Sequence, residues 1–168
     1  MSDSGTRSGV SLKDRLTLLS ATGFGLGLSS VASGTTGALL GIALAAALCG
    51  LSWPLQAAGA ALLAAAAVPV CDRAERLLGV KDDRRIVADE YLTFPLCTIG
   101  LPWAAEPAWL AVAFVVSRVL DVVKPPPAFQ AQRLPGGWGV AADDAVSSLY
   151  ALAVNHLLVW AWRTIGAG

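Results

Sequence analysis

The sequence predicts an all-α fold, a compact, membrane-associated bundle of about five to six helices, and three observations predict it. Hydrophobic residues fill 55% of the 168 positions and charged residues 14%, against roughly a quarter charged in ordinary soluble domains. No Asp, Glu, Lys or Arg occurs between Arg15 and Asp72, and Glu106 is the only such residue between Glu90 and Arg118. Trp-Pro and Pro-Trp pairs, Trp53-Pro54 and Pro102-Trp103, punctuate these runs. An outer helix of a soluble protein carries a polar stripe. These stretches have none, so they face lipid or are wholly buried.

Taken in order, residues 1–10 read as a disordered tail and 11–168 as one helical domain. A short amphipathic helix is expected over Ser11–Ala21, and the N-terminus lacks the pattern of a cleaved signal. Apolar segments follow at Gly37–Trp53, Pro54–Cys71, Ile86–Trp103, Ala108–Val123 and Ala145–Arg163. Each approaches the roughly 20 residues that span a bilayer. Trp53, Pro54 and Gln56 suit the tip of one helical hairpin, and Leu101 to Trp109 the tip of a second, with tryptophans at the membrane interface. Nearly all Lys and Arg fall at the opposite ends of the segments, which the positive-inside rule assigns to the cytoplasm. The fifth segment then crosses outward and leaves Arg163 at the far interface. Ala64 to Ala67 let membrane helices approach closely.

Composition also excludes. Twelve basic residues balance twelve acidic ones, so nothing favours a nucleic-acid partner. Cys49, Cys71 and Cys97 sit in or beside apolar runs without metal-ligand spacing and read as buried thiols. The sequence holds no nucleophile elbow, no phosphate-binding P-loop, no cysteine-phosphatase loop and no DxDxT run. Metal-assisted hydrolysis is the chemistry left open. His156, mid-helix among apolar residues, reads as a core or interface residue.

The acidic residues near the apolar segments are Asp82, Asp83, Asp89 and Glu90, then Asp121, then Asp143 and Asp144. Asp89 and Glu90 open one segment and Asp121 closes another, so the hairpin arrangement brings them to one side. Carboxylates at membrane depth are costly and generally functional, and hard oxygen donors from several segments suit Mg²⁺. Arg118 and Asp121 share a helix face, and Lys124 precedes Pro125, Pro126 and Pro127, which stop that helix. A plain Arg–Asp ion pair would use the same residues. Asp143 and Asp144 follow a glycine-rich stretch whose Gly136 and Gly137 allow close approach to a ligand and are candidate phosphate-binding residues; an aspartate there is also a routine helix N-cap. Thr35, in Ser33-Gly34-Thr35-Thr36-Gly37, can contribute to a phosphate cradle.

These motifs resemble the phosphatidylglycerophosphatase A family over roughly residues 20–160. GFGLGLSSVASGTTGA, starting at Gly23, is similar to the family's glycine-rich start. Ile86-Val87-Ala88-Asp89-Glu90 matches its IVxDE motif. The segment Ser117 to Pro127 matches its FRxFDxxKPxP motif, and Gly136 to Asp144 its GGxGIMxDD motif. The resemblance implies Mg²⁺-dependent hydrolysis of phosphatidylglycerophosphate, a phospholipid substrate, to phosphatidylglycerol and phosphate at the bacterial cytoplasmic membrane. Asp89, Glu90, Asp121, Asp143 and Asp144 become the implied metal and water-activating residues, with Asp89, Asp121 and Asp144 the catalytic set. Arg118 and Lys124 become implied phosphate ligands. This chain departs from the pattern at Ser33 and Ala38, at Thr93 (often glycine), at Ser117 and Leu120 (aromatics), and at Ser147 and Ser148 (an Ala-Gly pair). Every charged motif position is kept. The rival reading is a non-catalytic membrane protein, a small transporter or lipid-binding partner, whose charges form a structural ion network. Oligomeric state is not readable.

Overall fold

The computed structural model describes residues 11–29, 33–102 and 106–166; the expected tail over 1–10 and Trp103 lie outside the described residues. The α-helices are α1 (Leu12–Ala21), α2 (Ser33–Leu48), α3 (Trp53–Leu78), α4 (Ala88–Thr93), α5 (Ala108–Val123), α6 (Ala128–Ala131) and α7 (Gly137–Gly166), with no strand among the described residues. Five of them have ten or more residues, and an all-helical bundle is what composition predicts.

Local chemistry sets the ends. Ser11 caps α1 by accepting the Lys13 N–H at 3.2 Å. Pro54 sits in the first turn of α3, where its missing N–H costs nothing. At the other end of α3, Gly79 takes φ 70° and its N–H closes on Glu75 O at 2.8 Å, the usual glycine stop. Helix α5 stops at Lys124, which takes a left-handed φ of 45° ahead of the three prolines.

The expected span Ile86–Trp103 is corrected. It is the six-residue α4 followed by a 3₁₀ turn over Phe94–Thr98. Pro95 supplies the reason, because it has no N–H for the carbonyl of Tyr91 and its ring clashes there. The broken segment still runs from the acidic end of the bundle to the opposite end. It is buried on all sides rather than lipid-facing, with Val87, Phe94, Cys97 and Thr98 each at most 4% exposed. Small residues make room for it. Ala60, Ala67 and Ala74 form a fully buried stripe on α3. On α2, a Cβ at Gly41 would come within 2.5 Å of Phe94 Cβ.

Among the described residues two helices, α3 and α7, are long and apolar enough to cross a membrane. By contrast α2 and α5, with 16 residues each, reach only about 24 Å at 1.5 Å per residue, short of a ~30 Å hydrocarbon core. The five near-full-length spans expected from the sequence are therefore reduced to two. Large apolar side chains on the outer faces point away from the core: Leu62 is 72% exposed, Val122 82% and Trp160 66%. In water these faces would be costly; the bundle is membrane-associated.

The first expected hairpin tip meets the run that leads into the second at one end of the bundle. Gln56 Oε1 accepts the Gly100 N–H at 2.8 Å, Asn155 Nδ2 donates to Cys97 O at 3.0 Å, and His156 Nε2 lies 2.9 Å from Ile99 O. His156 thus secures the run into the second tip, in keeping with an interface role. At the other end Arg73 pairs with Asp14 at 2.6 Å, tying α1 to α3. There too the Val87 N–H donates to Ala21 O at 2.8 Å. These bonds hold the α4 start where its carboxylates can meet those of α5 and α7.

Candidate active site

Three elements supply the acidic residues. Asp89 and Glu90 lie in the first turn of α4, Asp121 in the last turn of α5, and Asp143 and Asp144 in the second turn of α7. The last placement corrects the N-cap reading. Helix α7 begins six residues earlier, at Gly137, so both aspartates are interior helix residues, 3% and 6% exposed. Adjacent positions on a helix point about 100° apart, so Asp143 and Asp144 reach different neighbours. Asp143 meets Lys124, while Asp144 interacts with Asp89 and Asp121.

All five carboxylates and Lys124 line one cavity of about 210 Å³, whose rim carries Lys81, Arg84, Ser33 and Gln132. Lys124 Nζ lies 2.5 Å from Asp143 Oδ2. Tyr150 Oη donates to Pro126 O at 2.7 Å, pinning the proline turn, and so the lysine, to α7. Arg118 is set further back. It bridges Glu90 at 3.5 Å and Asp121 at 3.4 Å and does not line the main cavity. It braces two carboxylates, whereas Lys124 is open to a ligand.

The charges do not balance. At the motif positions five carboxylates face two cations, Arg118 and Lys124; with Asp82, Lys81 and Arg84 of the same lining counted, six face four, still an excess of carboxylate. Each of the five keeps a buried oxygen without a hydrogen-bond partner: Asp89 Oδ1, Glu90 Oε2, Asp121 Oδ1, Asp143 Oδ1 and Asp144 Oδ2. Buried acceptors are ordinarily satisfied, and like charges this close resist joint ionisation. Burial, then the neighbouring Glu90 charge, holds the Asp89 carboxyl well above the usual range. Burial also pushes Glu90 up to about 7, against the pull of Arg118.

A divalent cation would relieve this repulsion, and hard oxygen donors are what Mg²⁺ takes. The donor chemistry of these residues suits such an ion, while their spacing is open. Among the described residues, no three acidic, His or Cys side chains are already gathered closely enough to enclose an ion. Mg²⁺ tolerates such an open site, because it needs only one or two carboxylates and keeps waters in its other positions.

Other predicted residues fall elsewhere. Thr35 is exposed on α2 and absent from the cavity lining, which takes Ser33 instead. Gly136, at φ 56°, and Gly137 sit against α3. The Gly137 N–H donates to Asp72 Oδ1 at 3.3 Å, and a Cβ on Gly137 would fall 2.6 Å from Asp72 Cβ. Their setting is close helix packing. Sequence reasoning passed over Lys81 and Arg84, although the basic run just before the Ile86–Glu90 motif was a usable signal.

A lipid-facing helical bundle that gathers five carboxylates beside a lysine at one end has the makings of a membrane-associated phosphatase. The chain belongs to the phosphatidylglycerophosphatase A family, whose profile matches residues 19–159, and it is an enzyme of the phosphatase class. A phosphatidylglycerophosphatase A of Escherichia coli (strain K12) is 32% identical over 145 residues, 86% of this chain and 84% of the relative. One of Haemophilus influenzae is 31% identical over 147 residues, 86% of this chain and 89% of the relative. A Bacteroides thetaiotaomicron relative, provisionally named a phosphatidylinositol-3-phosphatase, is 31% identical over 152 residues, 86% of this chain and 94% of its own length. No solved structure matches the chain.

Proposed function

We propose that this enzyme hydrolyses phosphatidylglycerophosphate to phosphatidylglycerol and inorganic phosphate, using Mg²⁺, at the cytoplasmic face of the bacterial inner membrane. The observation that carries the reading is the convergence of five carboxylates from three helices around one cavity beside Lys124. A structural ion network would tend towards pairing, because an unpaired buried charge is strongly destabilising. The excess of carboxylates over cations favours a cation site over the rival reading of a non-catalytic membrane protein.

Hydrolysis forms a bond from water oxygen to phosphorus and breaks the bond from phosphorus to the glycerol oxygen, which leaves as the alcohol with a proton. Lys124 offsets charge on the phosphoryl oxygens as it builds in the transition state. Asp89, Asp121 and Asp144 orient the attacking water and receive its proton. Arg118 holds Glu90 and Asp121 in position. The basic rim, Lys81 and Arg84, draws the anionic head group in. When bound, Mg²⁺ supplies Lewis-acid polarisation of the phosphoryl group and a counter-charge for its oxygens. The cytoplasmic assignment rests on the basic residues clustered at the site's end of the bundle.

The test is phosphate release by purified protein from short-chain phosphatidylglycerophosphate, phosphatidic acid, phosphatidylinositol 3-phosphate and glycerol 3-phosphate, with Mg²⁺ or EDTA. Preference for the first substrate and loss of release in EDTA are expected. Preference for the inositol lipid would move the assignment towards the function named for the Bacteroides relative. No release from any substrate would overturn the reading.

A further inference from the structure

Beside the main cavity, and sharing Glu90, Asp121 and Asp144 with it, lies a second, smaller space of about 10 Å³, room for a single water. Arg118, Phe94 and four hydroxyl residues, Thr93, Ser117, Ser147 and Ser148, complete its wall. The four hydroxyl residues come from three different helices, α4, α5 and α7, and meet at one point.

Thr93 Oγ1 donates to Asp89 O at 2.7 Å and Ser117 Oγ to Phe114 O at 2.8 Å. Ser147 differs. Its side chain lines the annex, the residue is only 2% exposed, and Oγ has no partner. Also without a hydrogen-bond partner are Arg118 Nε, Asp121 Oδ1, Asp144 Oδ2 and Glu90 Oε2, from residues that share this lining; the last lies 3.5 Å from an Arg118 terminal nitrogen. The unmet groups are therefore mixed: a guanidinium N–H that only donates, carboxylate oxygens that only accept, and a hydroxyl that does both. A second cation would meet the positive Arg118. A water molecule both donates and accepts, and fits the volume.

We propose that the annex holds one internal water bridging Ser147 Oγ, Arg118 Nε, Asp144 Oδ2 and Asp121 Oδ1, and that Ser147 is through it a positioning residue for Asp144. The inference rests on the proposed cation-dependent reading of the main cavity. With Asp144 Oδ2 engaged by this water, its Oδ1 is left for the main cavity, which Asp144 also lines; Asp121 Oδ2 stays on Arg118.

The experiment uses full-length protein in detergent, without substrate, and Mn²⁺ as the paramagnetic stand-in for Mg²⁺. Ser147→Ala leaves the space but removes one partner of the water. Ser147→Val fills the space and expels it. Ser147→Ala is expected to weaken Mn²⁺ binding about tenfold, the scale of one hydrogen bond in a charged network, with an unchanged melting midpoint. Ser147→Val is expected to weaken it further. A high-resolution structure of the metal-free wild type should hold one water in the annex. Wild-type affinity in a folded Ser147→Ala variant, or a dry annex, would overturn the proposal even if Ser147→Val fails to fold. Failure of the wild type itself to bind Mn²⁺ would instead overturn the cation-dependent reading, and this one with it.

Discussion

Lys124 Nζ meets Asp143 Oδ2 at 2.5 Å, joining the cap of α5 to the second turn of α7 across 19 residues of chain. The contact spends one of the two cations on one of five carboxylates and leaves the lysine at the cavity wall. Its role separates from metal binding by charge. Lys124→Met should lower kcat by about 10²–10³-fold, as for loss of one preorganised donor to a transition-state oxyanion. Mn²⁺ affinity should tighten, since a competing positive charge is gone. Steady-state kinetics and a Mn²⁺ titration on the same preparation check both, and weakened Mn²⁺ binding would contradict the assignment.

Asp144 is 6% exposed and interacts with Asp89, Asp121 and Asp143. Asp144→Asn removes one of the mutually repelling charges while keeping the shape. The metal-free variant should melt at a higher temperature than metal-free wild type, yet lose about 10²–10⁴-fold in kcat. Asp121→Asn should show the same loss of turnover at saturating Mg²⁺ while remaining folded. Near-normal hydrolysis by either variant would remove that residue from the catalytic set.

Stability should respond to pH in two separate windows. Glu90 is raised from 4.5 to about 7, so the folded state binds the extra proton between those values. Its contribution is complete below pH 4.5 and lost as pH rises through 7. Asp83 is lowered from 3.8 to about 2, first by the hydrogen bonds from Arg85. Its contribution is complete above pH 3.8 and lost as pH falls through 2. Metal-free melting curves should therefore decline on both sides of an optimum near pH 4–5. Asp83→Asn should flatten the acid limb alone, and saturating Mg²⁺ the neutral limb alone.

Gly137 distinguishes packing from phosphate binding. Its added Cβ would press on Asp72 and on the Val68 carbonyl. Gly137→Ala should destabilise the α3–α7 contact by about 1–3 kcal/mol, as for other overpacked sites. The kcat of the folded fraction should stay within about twofold of wild type on that packing role alone. A selective rise in KM with an unchanged melting point would return Gly137 to the phosphate site.

His156 lies twelve residues beyond Asp144, about 18 Å along α7 at 1.5 Å per residue. Its ring is engaged with Ile99 O. His156→Ala should leave kcat within about twofold of wild type, because a lost contact this remote does not reach the reacting atoms. A large loss measured on folded protein would show that the far end of the bundle communicates with the site.

Much of this was legible in the chain. Charge-free runs and clustered carboxylates are properties of composition and order, so the helical class, the membrane association and the acidic candidates could be read directly. The order of four motifs pointed to the family that the profile match then established. Three features could not be read. Hydropathy alone cannot separate a segment that faces lipid from one enclosed by other helices, so Ile86–Trp103 passed for a span although Pro95 carried the hint. Asp143 and Asp144 looked like caps because a glycine run hid the true start of α7. The glycines at 136 and 137 suggested a phosphate cradle because close packing and ligand approach make the same demand for a missing Cβ.

By itself, the sequence determined the helical class, the greasy exterior and the inventory of charges, since these follow from residue type and periodicity. Tertiary structure alone decided which charges share a cavity. Arg118 was turned inward as a brace and Lys124 left at the cavity wall, although both belong to one motif on one helix. The reason is geometric: partners 19 to 55 residues apart are brought together only by packing α4, α5 and α7, and no local pattern encodes that distance.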